Sequence, residues 1–231
     1  MWYYKMGGLN MKEKIKFLIK AIMAGIMIAI GGTIFLSMED KIIGAILFSI
    51  GLFIIVTRDL NLYTGKVGYI FNEKPKYLIE VLITVIGNFV GTFLVGFLLK
   101  YTRVYNTLHT KANTICSIKL NDDLISILIL SIFCGILMYL AVNSYKVGKD
   151  VLHKYIPVFM GVIVFILCGF EHSIANMYYF TMAGWSAKSF GYLGIMILGN
   201  LIGCVSFPLL EKLNVYLEKE KNLKKSKNKR K

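Results

Sequence analysis

The sequence is short of charged residues and of proline, and each shortage excludes a class of protein. Only 17% of the 231 residues are charged, and only three are proline. A soluble domain carries about 25% charged residues to keep its exterior polar, so an ordinary soluble domain is excluded. Disorder is excluded as well, because 56% of the residues are hydrophobic. The surplus of apolar side chains predicts a protein that faces lipid.

The four cysteines show no C-x-x-C pattern and no zinc-ligand spacing. Three of them lie in apolar runs, and isolated cysteines usually act as small buried hydrophobic residues. Other metal ligands are scarce, because His109 and His153 fall in connections expected on opposite faces of the membrane. We therefore expect no metal site and no cofactor.

Six uncharged, mostly apolar runs are long enough, or nearly so, to cross a bilayer as helices, which takes roughly 20 residues. They are residues 21–38, 42–57, 81–99, 124–145, 155–170 and 189–210. The second and fifth runs are short and end at ionisable pairs, Arg58-Asp59 and Glu171-His172. A mostly uncharged stretch follows each pair. This pattern predicts an all-α membrane protein of six transmembrane helices, with the second and fifth helices broken at a buried or cavity-lining segment.

Basic residues concentrate in the segments that flank these runs. The amino-terminal flank, the second-to-third and fourth-to-fifth connections and the tail at residues 211–231 are lysine-rich, and six spans place all four on one side. Because basic loops stay in the cytoplasm, we expect a multi-pass cell-membrane protein with both termini cytoplasmic. The connection at residues 100–119 is also basic and runs against this rule. The net charge of +14 then meets lipid headgroups, and no nucleic-acid partner is expected.

The two halves of the chain are weakly similar at a near-constant offset. Residues 24–27 resemble residues 134–137, which lie 110 positions later. The pattern apolar-Gly-Asn-apolar-apolar-Gly occurs at residues 86–91 and again at residues 198–203, which lie 112 positions later. The two interruptions are also 110 positions apart. The halves are therefore interpreted as two copies of one unit.

Each copy holds three spans, so the second copy must enter the membrane inverted relative to the first. We expect one pore domain at residues 1–210, with repeats at about 12–100 and 119–210. An inverted repeat with matching broken helices indicates a transport site at the repeat interface.

The pair Glu171-His172 is the most informative feature of the chain. Ionisable groups at membrane depth are costly to bury and are functional candidates by default. Histidine can exchange a proton or donate a hydrogen bond near neutral pH. Hydrolysis by this pair would need a nucleophile, and no G-x-S-x-G or similar motif is present. We therefore do not expect an enzyme.

Around this pair the sequence resembles a known family. Residues 169–177, Gly-Phe-Glu-His-Ser-Ile-Ala-Asn-Met, look like the signature of the formate/nitrite transporter family. Residues 62–65, Leu-Tyr-Thr-Gly, resemble the Leu-Phe-Thr-Gly loop of that family. Gly87-Asn88 and Gly199-Asn200 match the Gly-Asn pairs of its third and sixth helices. The resemblance implies an aquaporin-like fold, a homopentamer with one pore in each protomer, and passage of small monovalent weak-acid anions such as formate, nitrite, hydrosulfide or lactate.

The same resemblance implies a polar centre for the pore. His172 would be the central histidine, and Thr64 would be the hydroxyl group opposite it. Asn200 would face the pore, and Glu171 would orient or tune His172. The resemblance implies passage with or without a proton, and where a proton takes part, flux would be coupled to protonation at His172.

The resemblance also implies two hydrophobic constrictions around that centre. Leu62, Tyr63 and Phe48 would form one of them, and Phe165 would be the main residue of the other. An anion that passes such a constriction loses water, which is costly unless hydrogen-bond donors replace that water.

Lysines at the two mouths and two departures from the family complete the expectations. Lys16 and Lys119 would draw anions toward the two ends of the pore. Asn61 stands where the family usually has an acidic residue, and Gly135 stands where its fourth helix usually has a pore-facing Asn. The missing side chain at Gly135 is expected to widen or depolarise the pore. The alternative functions are a neutral-solute facilitator of the same architecture and a membrane-embedded enzyme, which would need a second catalytic group beside His172.

Overall fold

The computed structural model describes the backbone of residues 11–228 and the side chains of residues 11–221. This part of the chain is all-helical. Its helices are α1 Met11–Ser37, α2 Lys41–Phe48, α3 Ile50–Thr57, α4 Tyr63–Lys66, α5 Tyr77–Leu99, α6 Tyr105–Leu120, α7 Leu124–Val147, α8 Val151–Leu167, α9 Ser173–Ala183 and α10 Ala187–Asn228. A 3-10 turn at Val67–Tyr69 follows α4.

Within residues 11–221, four helices are long and apolar enough to cross a membrane, and they are α1, α5, α7 and α10. Two shorter apolar helices, Lys41–Thr57 and Val151–Leu167, correspond to the second and fifth predicted runs. At about 1.5 Å per residue, a helix of 17 residues is roughly 25 Å long, somewhat less than the hydrocarbon core. The breaks lie at residues 58–62 and 168–172, so the second break begins three residues before the Glu171-His172 pair.

The two short spans begin with the same cap. Asp40 accepts hydrogen bonds from the backbone N–H groups of Ile42 and Ile43. Asp150, which lies 110 positions later, accepts a hydrogen bond from the backbone N–H of His153, and this bond lowers the pKa of its carboxyl group. An aspartate in this position satisfies N–H groups that have no partner within the helix. Both broken helices therefore start from equivalent positions.

Close helix contacts at glycine also recur between the halves. A Cβ atom on Gly91 would lie 2.1 Å from the carbonyl oxygen of Ile22, where α5 crosses α1. A Cβ atom on Gly203 would lie 2.0 Å from the carbonyl oxygen of Ile132, where α10 crosses α7. Backbones that approach this closely leave room only for glycine, which is how membrane helices often pack. The offset seen in the sequence is thus present in the packing of the two helix pairs.

Gly135 belongs to this packing, and the expectation that it widens the pore is wrong. A Cβ atom there would lie 2.4 Å from the carbonyl oxygen of Asn200. The equivalent position, Gly25, is equally close to the carbonyl oxygen of Asn88, at 2.2 Å. The side chain is absent because α7 and α10 are in contact, so its absence creates no space for a solute.

Helix α6 was not among the predicted elements. Its buried residues, Leu108, Ala112 and Cys116, recur every fourth position and pack toward α9 and α1. His109 also joins α6 to α9, because its Nδ1 lies 2.7 Å from the carbonyl oxygen of Met182. The helix carries Lys119 near its carboxyl end, so it places a lysine next to the second break.

The predicted tail continues α10 as a helix. Glu211 accepts a hydrogen bond from the hydroxyl group of Tyr139, and Lys212 contacts Asn72. The first residues of the tail therefore contact α7 and the connection between α4 and α5.

Candidate functional site

Both broken helices end in the same hydrogen-bonded motif. The backbone N–H of Leu60 donates to the carbonyl of Ile55 at 2.9 Å, and that of Phe170 donates to the carbonyl of Phe165 at 2.9 Å. The residue before each donor is left-handed, with φ of 51° at Asp59 and 71° at Gly169. This is the Schellman motif, which satisfies carbonyl groups at a helix end. The chain is thereby turned sharply at both breaks.

One asparagine fixes the first break. The side-chain amide of Asn88 donates to the carbonyl oxygens of Ala21 and Asn61, at 2.7 and 2.8 Å. Its Oδ1 accepts from the backbone N–H of Tyr63 at 2.9 Å. The amide is buried and connects α5 to α1 and to both sides of Leu62.

Asn200 holds the second break in the same way. Its amide donates to the carbonyl oxygens of Ser131 and Glu171, both at 2.8 Å, and its Oδ1 accepts from the backbone N–H of Ser173 at 2.8 Å. Both N–H groups of the amide are thus engaged with backbone. Asn200 was expected to present its amide to the pore, and this geometry instead makes it a positioning residue for the backbone on either side of His172.

His172 and Thr64 come together as expected. His172 is the N-cap residue of α9, and its Nδ1 accepts the backbone N–H of Ala175 at 3.2 Å. Because Nδ1 uses its lone pair in this way, the proton of the neutral ring lies on Nε2. Nε2 lies 3.1 Å from Thr64 Oγ1, so the ring donates to the hydroxyl group. The hydroxyl hydrogen of Thr64 is then available to another acceptor.

Aromatic rings cover one side of this pair. The ring of Phe165 stacks on His172, with centroids 5.5 Å apart and planes at 27°. Phe48 meets Phe165 edge to face, with centroids 5.9 Å apart. Phe48 was expected to lie with Leu62 and Tyr63, and the ring contact places it with Phe165 instead. Sequence order could not show this, because α2 and α8 meet only in the fold.

Leu62 and Tyr63 lie on the side of the first break. Leu62 is buried, and it lines a cavity of about 160 Å³ that opens beside the break. Tyr63 is also buried, and its hydroxyl group donates to the carbonyl of Ile197 on α10 at 2.8 Å. Tyr63 is therefore held by a hydrogen bond as well as by packing.

Glu171 does not contact His172 through its carboxylate. Its Oε2 accepts from Lys119 Nζ at 2.5 Å and from Asn176 Nδ2 at 2.8 Å. Lys119 is only 13% exposed and Glu171 only 4%. Lys119 was predicted to attract anions at a pore mouth, and the structure adds that its ammonium group is paired with a buried carboxylate. Glu171 acts on the site by joining α6 to the start of α9.

Lys16 lies at the edge of a second cavity, of about 150 Å³, on the side of the first break. Lys20, which lines the same cavity, forms an ion pair with Asp59 at 2.7 Å. The two cavities share Asp59, Asn61 and Lys66 in their walls. We call the two cavities together the vestibule.

Two polar atoms near His172 were missed by the sequence reasoning. Ser173 Oγ and Asn176 Oδ1 are buried and make no hydrogen bond to another described group. Buried polar atoms nearly always have a hydrogen-bond partner, so these two atoms are exceptions in the part of the chain that the structure describes. The sequence could have indicated Ser173 and Asn176 as candidates, because both lie in the first turn of the helix that His172 caps.

Comparisons with known proteins identify the family of this chain. A family model described as formate/nitrite transporter matches residues 7–212, which confirms the resemblance of the motifs. The formate channel FocB of Escherichia coli (strain K12) is 22% identical over an alignment of 253 positions, which covers 90% of this chain and 90% of that protein. A formate-nitrite transporter of Plasmodium knowlesi (strain H) is 34% identical over 97 residues, 39% of this chain and 31% of that protein.

Two solved structures have the same fold. One is a pentameric formate channel with formate bound, with a TM-score of 0.76, 23% identity and coverage of 90% of this chain and 100% of that chain. The other is an ion channel of the same family, with a TM-score of 0.75, 19% identity and coverage of 88% and 91%. The apolar helices and these similarities together indicate a multi-pass membrane protein.

Proposed function

The chain belongs to the formate/nitrite transporter family, and from this premise we propose that it is a transmembrane channel or transporter for small monovalent weak-acid anions. The observation that carries the proposal is the contact of His172 Nε2 with Thr64 Oγ1, which joins the two broken helices. Both side chains are buried, at 2% and 1% exposure, beside Phe165 and Leu62. A polar pair in such apolar surroundings suits a solute that loses its water there.

The architecture in this proposal is six spans in two inverted repeats, as in aquaporins. Its support is the recurrence of the Asp40 cap, the Schellman ends and the asparagine contacts at the same offset. The termini would lie in the cytoplasm and the spans in the cell membrane. The outward apolar side chains of α5, such as Leu82 and Ile86 at 60% and 52% exposure, would meet lipid or a neighbouring protomer.

The assembly in this proposal is a homopentamer with one pore in each protomer. Its support is the similarity in fold to a pentameric formate channel. The pore would run within the protomer because Thr64 and His172, from the two halves of one chain, supply its polar centre.

The mechanism follows from the cost of removing an anion from water. A weak acid can take up a proton and cross as the neutral molecule, or it can be held by donors at the centre. The hydroxyl of Thr64 and Nε2–H of His172 supply those donors. His172 acts as a neutral donor, because a proton on Nδ1 would break its hydrogen bond with Ala175. Binding must remain weak enough for release.

The test is anion flux into liposomes that contain the purified protein. We expect flux of formate, nitrite, hydrosulfide, lactate or acetate to rise as the pH falls, because more of each acid is neutral. His172→Leu should reduce flux roughly a hundredfold, since a hydrogen bond to a charged group contributes up to about 3 kcal/mol. Thr64→Val should reduce it less, because one donor remains.

Two outcomes would contradict the proposal. Unchanged flux in both variants would remove His172 and Thr64 from the pathway. Glycerol permeation that exceeds anion flux and survives His172→Leu would support the neutral-solute facilitator instead.

A further inference from the structure

Lys66 is the last residue of α4 and stands where the two cavities of the vestibule meet. Its backbone is fixed there, because the carbonyl oxygen of Lys66 accepts a hydrogen bond from the Tyr77 hydroxyl at 3.0 Å. The side chain is half-buried. A lysine at the shared wall of both cavities is within reach of any solute that enters either of them.

The ammonium group of Lys66 lies among aromatic rings, and the carboxylates of Glu80 and Asp59 act on it electrostatically without forming a salt bridge. Its Nζ is 4.9 Å from the ring centroid of Phe17 and 5.8 Å from that of Tyr77. In the part of the chain that the structure describes, Lys66 forms no salt bridge. Asp59, one of the acids that line the vestibule, is paired with Lys20. Cation–π contacts leave the N–H donors of an ammonium group able to bind an anion.

The charges around the vestibule favour an anion as the ligand. Among the described residues, two carboxylates line it, those of Glu13 and Asp59. The lysines that line it are Lys16, Lys20, Lys66, Lys146 and Lys154. A concave surface with such an excess of one sign raises the local concentration of the opposite ion.

The vestibule also leads toward the centre. Leu62 lines it, and Thr64, which contacts His172, lies two residues further along the chain. An anion held at Lys66 would therefore be adjacent to the apolar position that it must pass.

We propose that Lys66 binds the permeating anion, a small carboxylate or a monovalent anion of similar size, in the vestibule before it passes Leu62. This inference rests on the proposed function and adds a site to it. The charge-assisted hydrogen bond from Nζ replaces part of the water that the anion gives up at the entrance. The site raises the apparent affinity for the anion without taking part in the step at His172.

The experiment compares Lys66→Met with Lys66→Arg in liposomes at low ionic strength, with formate as the probe. Methionine keeps the apolar stem against Phe17 and removes the charge, whereas arginine keeps the charge. For Lys66→Met we expect the half-saturating formate concentration to rise roughly tenfold, with nearly unchanged maximal flux. Lys66→Arg should stay close to wild type. Added salt should reduce the difference, because it screens the charge.

Lys219→Met is the matched control, since Lys219 is exposed on α10 outside the vestibule. An unchanged half-saturating concentration in Lys66→Met would overturn the inference, and so would an equal rise in Lys219→Met.

A second measurement separates this site from the proposed function. Formate should raise the unfolding temperature of the wild-type protein in detergent, and this effect should be lost in Lys66→Met and kept in Lys219→Met. If the wild-type protein shows this stabilisation but carries no formate flux, the site stands and the proposed function fails. If flux is present and the stabilisation is the same in all three proteins, the site at Lys66 fails alone.

Discussion

The two breaks share a backbone and differ in chemistry. Each helix before a break ends in a Schellman motif, and each break is held by an asparagine, Asn88 or Asn200, on the last span of its half. Each break also donates one backbone N–H to the first span, from Asn61 to Lys20 and from Glu171 to Leu130, both at 3.3 Å. The two halves thus share the hydrogen bonds that hold the backbone at each break.

The difference lies in the residue that caps the following helix. Leu62 precedes α4 and makes no side-chain cap, whereas His172, 110 positions later, caps α9. Helix α4 has 4 residues, while α9 has 11 and is buried along almost its whole length. The two breaks therefore have equivalent cap positions, of which one is apolar and the other is polar. The proposed pore centre combines one side chain from each half, Thr64 and His172.

The ion pairs at the two breaks also differ, because the pair at the second break is more deeply buried. Lys20 and Asp59, at the first break, are 24% and 37% exposed, and Lys119 and Glu171, at the second, are 13% and 4% exposed. An exposed pair contributes little and can rearrange, whereas breaking a buried pair leaves an uncompensated charge. The first break thus borders the open vestibule, and the second is fixed to α6.

The largest expected effect comes from removing the asparagines that make the breaks equivalent. Asn88→Ala and Asn200→Ala each remove three buried hydrogen bonds, and we expect each to destabilise the protein by about 3 kcal/mol. Asn200→Ala should also reduce formate flux strongly, because Asn200 holds the residues on both sides of His172. Thermal unfolding in detergent and flux in liposomes measure the two effects.

The control for this pair is Asn113→Ala, because Asn113 makes an exposed side-chain hydrogen bond to His109 on α6. It should leave both measurements nearly unchanged. If only one of Asn88→Ala and Asn200→Ala were destabilising, the two breaks would not be energetically equivalent.

The sequence predicted the positions of the apolar helices and of the breaks, because long apolar runs and the charged residues that end them are read directly from residue order. The contact of His172 with Thr64 was expected through the family motifs. The partners of Lys119 and Phe48 were not predicted, because each lies on a different helix and becomes a neighbour only when the helices pack. Gly135 was misinterpreted for a related reason. A missing side chain has the same appearance in a sequence whether it faces a pore or another backbone.

A smaller effect is expected at the glycines that let the helix pairs pack. Gly91→Ala and Gly203→Ala place a Cβ atom against a carbonyl oxygen in α1 and α7, respectively. Overpacking of this kind costs about 2 kcal/mol, and we expect similar losses of thermal stability in both halves. Gly194→Ala is the control, because a Cβ atom there has no heavy atom within 4 Å. A cost at Gly203 without one at Gly91 would show that the two helix pairs pack differently.

The smallest effect is expected at the left-handed residues, where the two breaks differ by a single side chain. A Cβ atom on Gly169 would meet nothing within 4 Å, so Gly169→Ala should cost only the conformational penalty at φ of 71°, about 1 kcal/mol.

Asp59→Gly removes the conformational penalty of a left-handed residue with a side chain at the first break. It also loses the half-exposed ion pair with Lys20, which is worth up to about 1 kcal/mol. The two contributions oppose each other, so the unfolding temperature of Asp59→Gly should stay near that of the wild type. Asp59→Ala keeps the strain, loses the pair and should unfold at a lower temperature than Asp59→Gly. If Asp59→Gly were instead the less stable of the two, the ion pair and not the backbone would decide which residue occupies this position, and the breaks would differ in their scaffold as well as in their chemistry.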